Sequence, residues 1–324
     1  MLYPLTFKPI LKKVIWGGSD ICPFKGISPV QEGIGESWEL SHVDGDYSIV
    51  AEGELADKSL DELIKSYGKE LLGEHVMERF GTRFPLLIKF IDARDNLSIQ
   101  VHPNDELAKV RHNSFGKTEM WYVIKANNNA FLYSGFSQQI DADEYVKRVQ
   151  DNTIMDVLKR YDVQEGDLFF WQARRVHAIG VGCFTPEIQQ TSNITYRIYD
   201  YNRKDKNGNT RELHTELAKD AIDYTLYSDY RTHYKAHSNA TVNLADCQYF
   251  TTNLIDLDAT MTRNFAELDS FVVYICMEGN ALITDDNGYE IHVHQGQTVL
   301  IPASAKSVTI SPSPKAKSME AYIK

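Results

Sequence analysis

The chain is short of positive charge. Its 34 Lys and Arg stand against 45 Asp and Glu, a net charge of −11. Nucleic acids need a basic surface to displace their counterions, so no nucleic-acid partner is expected. A phosphorylated small molecule needs only a local cluster of Lys and Arg, which an acidic protein can still build. Long apolar runs are missing too: no window approaches the roughly 18 apolar residues of a membrane helix, and no membrane association is expected. Residues 1–6 lack the basic and apolar regions of a secretory signal. Cysteine is scarce, and Cys22, Cys183, Cys247 and Cys276 form no CxxC pair. They read as free thiols, and the chain as cytoplasmic. What remains is an ordinary composition, 43% apolar and 24% charged, on 324 residues. That length suits one large domain or two ordinary ones.

Three short motifs carry chemistry. Gln100-Val101-His102 sets two donors on alternate residues of a strand, so both side chains face one way. Glu119 opens an aromatic-rich strand, where a carboxylate needs a cation. His177 follows a third apolar strand. Two imidazoles, one carboxylate and one amide suit a divalent transition ion, zinc foremost, one per chain, with a position left for water or substrate. His292 and His294 form a rival HxH pair. They precede Gly296, whereas His177 follows Gly166, and a solvated strand face is expected for them. His42 and His112 have no spacing partner. Trp16, Trp38, Trp121 and Trp171 are expected in the core, with one able to line a pocket.

Most of the chain reads as short β segments broken by Gly, Asn and Asp, as at 86–91, 97–102 and 120–124. Ser59 can cap a helix over 60–67, where Leu60, Leu63, Ile64 and Tyr67 share a face. A second helix is expected over 143–158, with Tyr145, Val146, Val149 and Ile154 inward, and a weaker one over 210–224. Helices scattered among strands suggest insertions into a barrel, not alternating βαβ units. The polar stretch around 233–243 reads as a link. Residues 165–172 resemble 295–302, and 122–131 resemble 273–282. In that register Ser307 stands where His177 does, and Ser270 where Glu119 does. The expected division is 1–238, holding the metal site and the insertions, and 239–324, a related barrel without metal ligands.

The Gly166-to-His177 segment resembles the second motif of the cupins, with Gln172 and Arg174 in place of the usual Pro and Gly. Gln100-Val101-His102 stands where the first cupin motif has HxH. The implied fold is all-β: two cupin-like jelly-roll β-barrels with helical insertions in the first. Over nearly its whole length the chain also resembles the class I mannose-6-phosphate isomerases of the shorter bacterial type. The resemblance runs through Ile15-Trp16-Gly17-Gly18, Gly35-Glu36-Ser37-Trp38-Glu39, Gln100-Val101-His102-Pro103-Asn104-Asp105, Lys117-Thr118-Glu119-Met120-Trp121-Tyr122, Val176-His177-Ala178-Ile179-Gly180 and the stretch 187–201. It implies zinc on Gln100, His102, Glu119 and His177, an active-site arginine at Arg197 and a lysine at Lys89. Asn193 stands where the family often has Asp, and Thr118 where longer members have Pro.

The implied reaction interconverts mannose 6-phosphate and fructose 6-phosphate through an enediol. Charge developing on the enediolate oxygen must be met by a metal or by fixed cations. Arg197 cannot serve as a base, so its expected roles are to stabilise that charge or to hold the phosphate bidentately. Lys117 and Lys89 add positive charge, Lys117 at the substrate. Glu187 is the first candidate for the proton shuttle and Lys89 the second. The plainer readings make Arg197 an ion-pair partner of Asp200 or Glu187, and Lys89 a strand residue reaching solvent. Two rival functions share these residues: an iron-dependent cupin oxidoreductase, built on two His and a carboxylate, and a non-catalytic sugar-phosphate sensor. The expected partner is a small phosphosugar, bound by a monomer or homodimer.

Overall fold

A computed structural model describes residues 2–204 and 207–324. Strand is the commonest regular element among the described residues, and the strands form two barrel-like units. In the first unit one sheet orders Leu168–Trp171, Glu119–Tyr122, Cys183–Gln190, Leu86–Asp92, Ile34–Leu40 and Ile10–Gly18. The facing sheet orders Leu158–Asp162, Phe131–Phe136, His177–Ile179, Ile99–Val101 and Tyr196–Tyr199. Ile91, Trp121 and Trp171 from one sheet meet Leu132 and Ile179 from the other in a single core cluster. In the second unit a nine-stranded sheet curls around its own core, which includes Ile255, Tyr274, Val299 and Ile310. Its long strands Val272–Asp285 and Ser307–Tyr322 pair along most of their length and bend at bulges beside Gly279. A side chain there would put its Cβ 2.0 Å from the Lys315 carbonyl oxygen, and φ is +74°, so only glycine fits. The architecture is the expected all-β pair of cupin-type barrels.

Strand Leu5–Lys8 crosses the expected division. It pairs with Thr298–Ile301 on one side and with Ile49–Val50 on the other. A continuous apolar core, including Leu5, Leu63, Phe84, Phe271 and Leu300, then joins the two units.

The helix over 60–67 forms as expected. Ser59 and Glu62 make a reciprocal capping box, and Leu60, Leu63 and Ile64 are buried. The second helix stops early, spanning Ala142–Gln150, and only a 3-10 turn, Ile154–Val157, follows. Asn152, at φ +57°, reverses the backbone between them. The third is confined to Thr215–Ala221. Helix Asp105–His112 has no counterpart in the sequence reading: it buries only Ala108, so its apolar periodicity is faint, although Asn104 caps it.

Candidate metal centre and active site

The candidate ligand residues converge because three strand ends meet across the first unit. Gln100 pairs with His177 in one direction and with Arg197 in the other, so the three lie side by side across adjacent strands. Ile99 and Val101 are buried in the core, which turns Gln100 to the opposite face. Glu119, on the facing sheet, completes the group. Donor atoms of His102, Glu119 and His177 lie within 4.8 Å of one another, and all three residues are buried.

Hydrogen bonds fix what each donor presents. His102 Nδ1 donates to the Ile194 carbonyl, and His177 Nδ1 to the Arg175 carbonyl, each at 2.8 Å. Both Nε2 atoms therefore carry lone pairs. His177 Nε2 is 3.0 Å from Glu119 Oε1, and His102 Nε2 is 3.7 Å from Glu119 Oε2. These values bracket the ~3.3 Å edge of a tetrahedron with the ~2.0–2.1 Å arms of a zinc site. Glu119 Oε1 and His177 Nε2 are both buried without a hydrogen-bond partner. Two facing lone pairs repel unless a cation lies between them, so the residues present fit a metal ion. Burial, then the Lys117 ammonium, pushes the His177 imidazole down to about 3. The same causes hold His102 well below its usual value. Both rings are thus neutral, as ligands must be. Trp121 and Trp171 wall the site, their rings 5.2 and 5.4 Å from the His177 ring.

Next to this group, on the side of Gln100 and Lys117, opens a cavity of about 380 Å³, within the range for a small-molecule site. Lys89, Gln100, Lys117, Glu187 and Arg197 all line it, together with Glu36, Trp38, Asn193 and Arg211. Trp16 belongs to the same wall. A Cβ on Gly35 would lie 2.4 Å from Val14 and 2.5 Å from Trp16, so the two N-terminal motifs are glycine-rich where they pack on each other.

The charged groups alternate in sign. Glu36 Oε2 is 3.9 Å from Lys89 Nζ, which is 3.1 Å from Glu187 Oε1. Lys117 Nζ is 3.5 Å from the same Glu187 oxygen and contacts Glu119. Strand pairing sets this order, since Lys89 and Glu187 are direct partners. Burial alone would raise the pKa of Glu187, but Lys117 and Lys89 outweigh it and keep the carboxylate ionised. Burial would lower Lys89, but Glu187 and Glu36 hold it up. Lys117 falls to about 8, because burial outweighs Glu187. Lys89 is therefore an internal ion-pair partner and does not reach solvent.

Arg197 has neither of the expected carboxylates. Asp200 is taken by Arg203 and Arg211, and Glu187 by the two lysines. The Arg197 guanidinium donates to the Glu212 carbonyl at 3.0 Å, and its buried Nε has no partner. Burial, then Arg211, lowers its pKa. Arg211 escaped the sequence reading because it sits in an irregular segment with no motif around it. His292 and His294 are exposed on either side of buried Val293, on an outward strand face.

Among the described residues no helix is long and apolar enough to cross a membrane. The four cysteines are free.

The chain matches known proteins over most of its length. Residues 5–129 match the model of the phosphomannose isomerase type I catalytic domain, and 240–316 the mannose-6-phosphate isomerase cupin domain. The mannose-6-phosphate isomerase ManA of Bacillus subtilis is 33% identical over 302 residues, 92% of this chain and 93% of that one. A probable mannose-6-phosphate isomerase of the same organism, GmuF, is 32% identical over 96% of each chain. The crystal structure of a Bacillus subtilis mannose 6-phosphate isomerase superposes with a TM-score of 0.88 at 28% identity, covering 99% of this chain and 100% of that one. With identity at this level spread over both barrels and the stretch between them, the chain belongs to the type I phosphomannose isomerase family.

Proposed function

We propose that this protein is a zinc-dependent, cytoplasmic isomerase that interconverts mannose 6-phosphate and fructose 6-phosphate, acting as a monomer or homodimer. The observation that carries the reading is the pair of unsatisfied lone pairs on Glu119 and His177, joined through Lys117 to a cavity that Lys89, Lys117 and Arg197 line. One zinc ion per chain would be held by Gln100, His102, Glu119 and His177. When bound it supplies Lewis-acid stabilisation of charge on a sugar oxygen. The cationic wall and the family favour a phosphosugar over the oxygen chemistry open to two His and a carboxylate. The donor set, complete in this reading, favours turnover over mere sensing. The unit 1–238 carries the chemistry and 239–324 supports it, with Leu5–Lys8 tying them together.

Arg197, free of carboxylates, would hold the phosphate or the enediolate oxygen, with Arg211 lining the same cavity. With the donors occupied, Lys117 must swing its ammonium off Glu119, and Glu187 is there to receive it. Glu187 is our first candidate to move the proton between C1 and C2, and Lys89 our second. Lys117, beside Glu187, adds positive charge at the substrate. The test is a coupled assay of fructose 6-phosphate formation on zinc-loaded and chelated protein and on folded Glu119→Gln and Arg197→Ala variants. Activity that vanishes on chelation, returns with zinc and collapses in both variants is the expected result. A folded, metal-replete wild type that turns nothing over would sink the assignment.

A further inference from the structure

We infer that Arg174 is a positioning residue for the metal centre, acting through the turn 173–175. This rests on the reading of His102, Glu119 and His177 as ligands. Three consecutive residues of that turn each support a different arm of the donor set. The Ala173 N–H donates to Thr118 Oγ1 at 3.2 Å, directly beside Glu119. The Arg174 N–H donates to the His102 carbonyl at 2.8 Å. The Arg175 carbonyl accepts from His177 Nδ1 at 2.8 Å. One short piece of backbone thus sets the aim of all three.

That backbone passes through the left-handed region, with Arg174 at φ +85°. Residues with a Cβ disfavour this conformation, and glycine takes it freely. Here an arginine occupies the position, and its own side chain secures it. Arg174 Nε donates to the Ala221 carbonyl at 3.2 Å and Nη2 to the Ile222 carbonyl at 3.5 Å. These carbonyls close helix Thr215–Ala221, where a helix end has acceptors to spare and favours a cation. The Arg174 carbonyl in turn accepts from the Asp223 N–H at 2.8 Å. Residues 221–223 therefore grip Arg174 by both side chain and backbone. Without the guanidinium only backbone hydrogen bonds hold the turn in its unfavourable conformation, and the three donors are aimed less firmly.

The experiment strips the full chain with a chelator and titrates it with zinc chloride by calorimetry, for wild type, Arg174→Ala and Arg174→Gly. Melting curves of the metal-free proteins run alongside. Alanine should weaken zinc binding roughly 10–100-fold, as loss of a group supporting a ligand typically does. Glycine should recover most of that loss, because it adopts φ +85° unaided. Metal-free melting temperatures should stay close to wild type, which a merely structural role would not allow. Wild-type affinity in the alanine variant overturns the inference, and so does a glycine variant as weak as alanine. If the alanine variant does not fold, glycine decides alone: affinity within a few fold of wild type supports the role of the turn, and a tenfold loss overturns it. Wild type that takes up no zinc removes the ligand reading together with this one, a failure visible before any variant is made.

Discussion

The two barrels bury a carboxylate in different ways. In the second, Glu320 is fully enclosed and fully answered. Arg263 meets it through Nε and Nη2, both at 2.9 Å, and Tyr274 Oη and Asn253 Nδ2 donate at 2.8 and 3.0 Å. In the first, Glu119 is as deeply buried, yet Oε1 faces a histidine lone pair with nothing between them. The two serines that the sequence comparison sets in register with the first barrel's candidate ligands make structural contacts. Ser270 donates to the Phe271 carbonyl and accepts from the Ile323 N–H, and Ser307 pairs with Asn264 at a strand end. A barrel interior can thus satisfy its carboxylate with an arginine, which leaves no vacancy for chemistry. It can instead leave one carboxylate oxygen unanswered beside a histidine, as the donors of a metal site would be.

The sharpest break in this comparison is to neutralise each carboxylate. Glu119→Gln should lower kcat/KM by about 10³-fold, the several kcal/mol a catalytic metal contributes, while far-ultraviolet dichroism stays unchanged. Glu320→Gln should leave activity per folded molecule nearly intact. Arg197→Ala comes next, with a loss of about 10²-fold in the coupled assay. Arg211→Ala should cost less, because its guanidinium already serves Asp200.

Stability should respond in the opposite pattern. Glu320→Gln leaves the part-exposed Arg263 beside a neutral partner and should cost about 1.5–3 kcal/mol, read as a lower denaturant midpoint. Removing metal from wild type should lower the melting temperature, since it removes a binding term of about 2.7 kcal/mol when free metal stands at 100 times Kd. Glu119→Gln should show no zinc-dependent shift at all, whereas Glu320→Gln should keep the full shift from a lower start. If zinc stabilises the Glu119 variant as it does wild type, the contrast between the two interiors is wrong.

The smallest effect is on pH. Burial works against the Asp200 carboxylate, but Arg211 and Arg203 outweigh it and hold its pKa below the usual value. A depressed folded pKa gives stability that is present above the unfolded value, about 3.9, and lost as pH falls through the folded one. Between pH 5 and pH 3 wild type should therefore lose more of its urea midpoint than Asp200→Asn does. Equal losses would show that this site carries no linkage.

The candidate donors were legible because residue type, spacing and order all pointed to one use, and His102, Glu119 and His177 do come together. Gln100 and His102 alternate on a strand, and Glu119 and His177 follow in the expected succession. The charge ladder was half legible. Lys89, Lys117 and Glu187 stood out singly, but only the pairing of strand Leu86–Asp92 with Cys183–Gln190 shows that they neutralise one another. The replacement of glycine by Arg174 was visible as a departure, while the helix end that makes it tolerable comes from some 50 residues away. The early end of the second helix turned on Asn152, whose left-handed backbone no periodicity reveals. The all-β architecture followed from alternation, but the partner of Leu5–Lys8 did not, since alternation names a face and not a neighbour.

That partner has a consequence for how the protein is made. Leu5 lies against Leu300, roughly 300 residues later in the chain. Ribosomes add about 5–20 residues per second, so the early strand spends some tens of seconds with one edge bare before Thr298–Ile301 emerges. Only Ile49–Val50 can shield its other edge in the interval. The nine-stranded sheet is closed by the last part of the chain reaching back to one of the first, and a nascent chain of this protein carries an exposed strand edge as a standing invitation to chaperones, or to other nascent chains, until that moment.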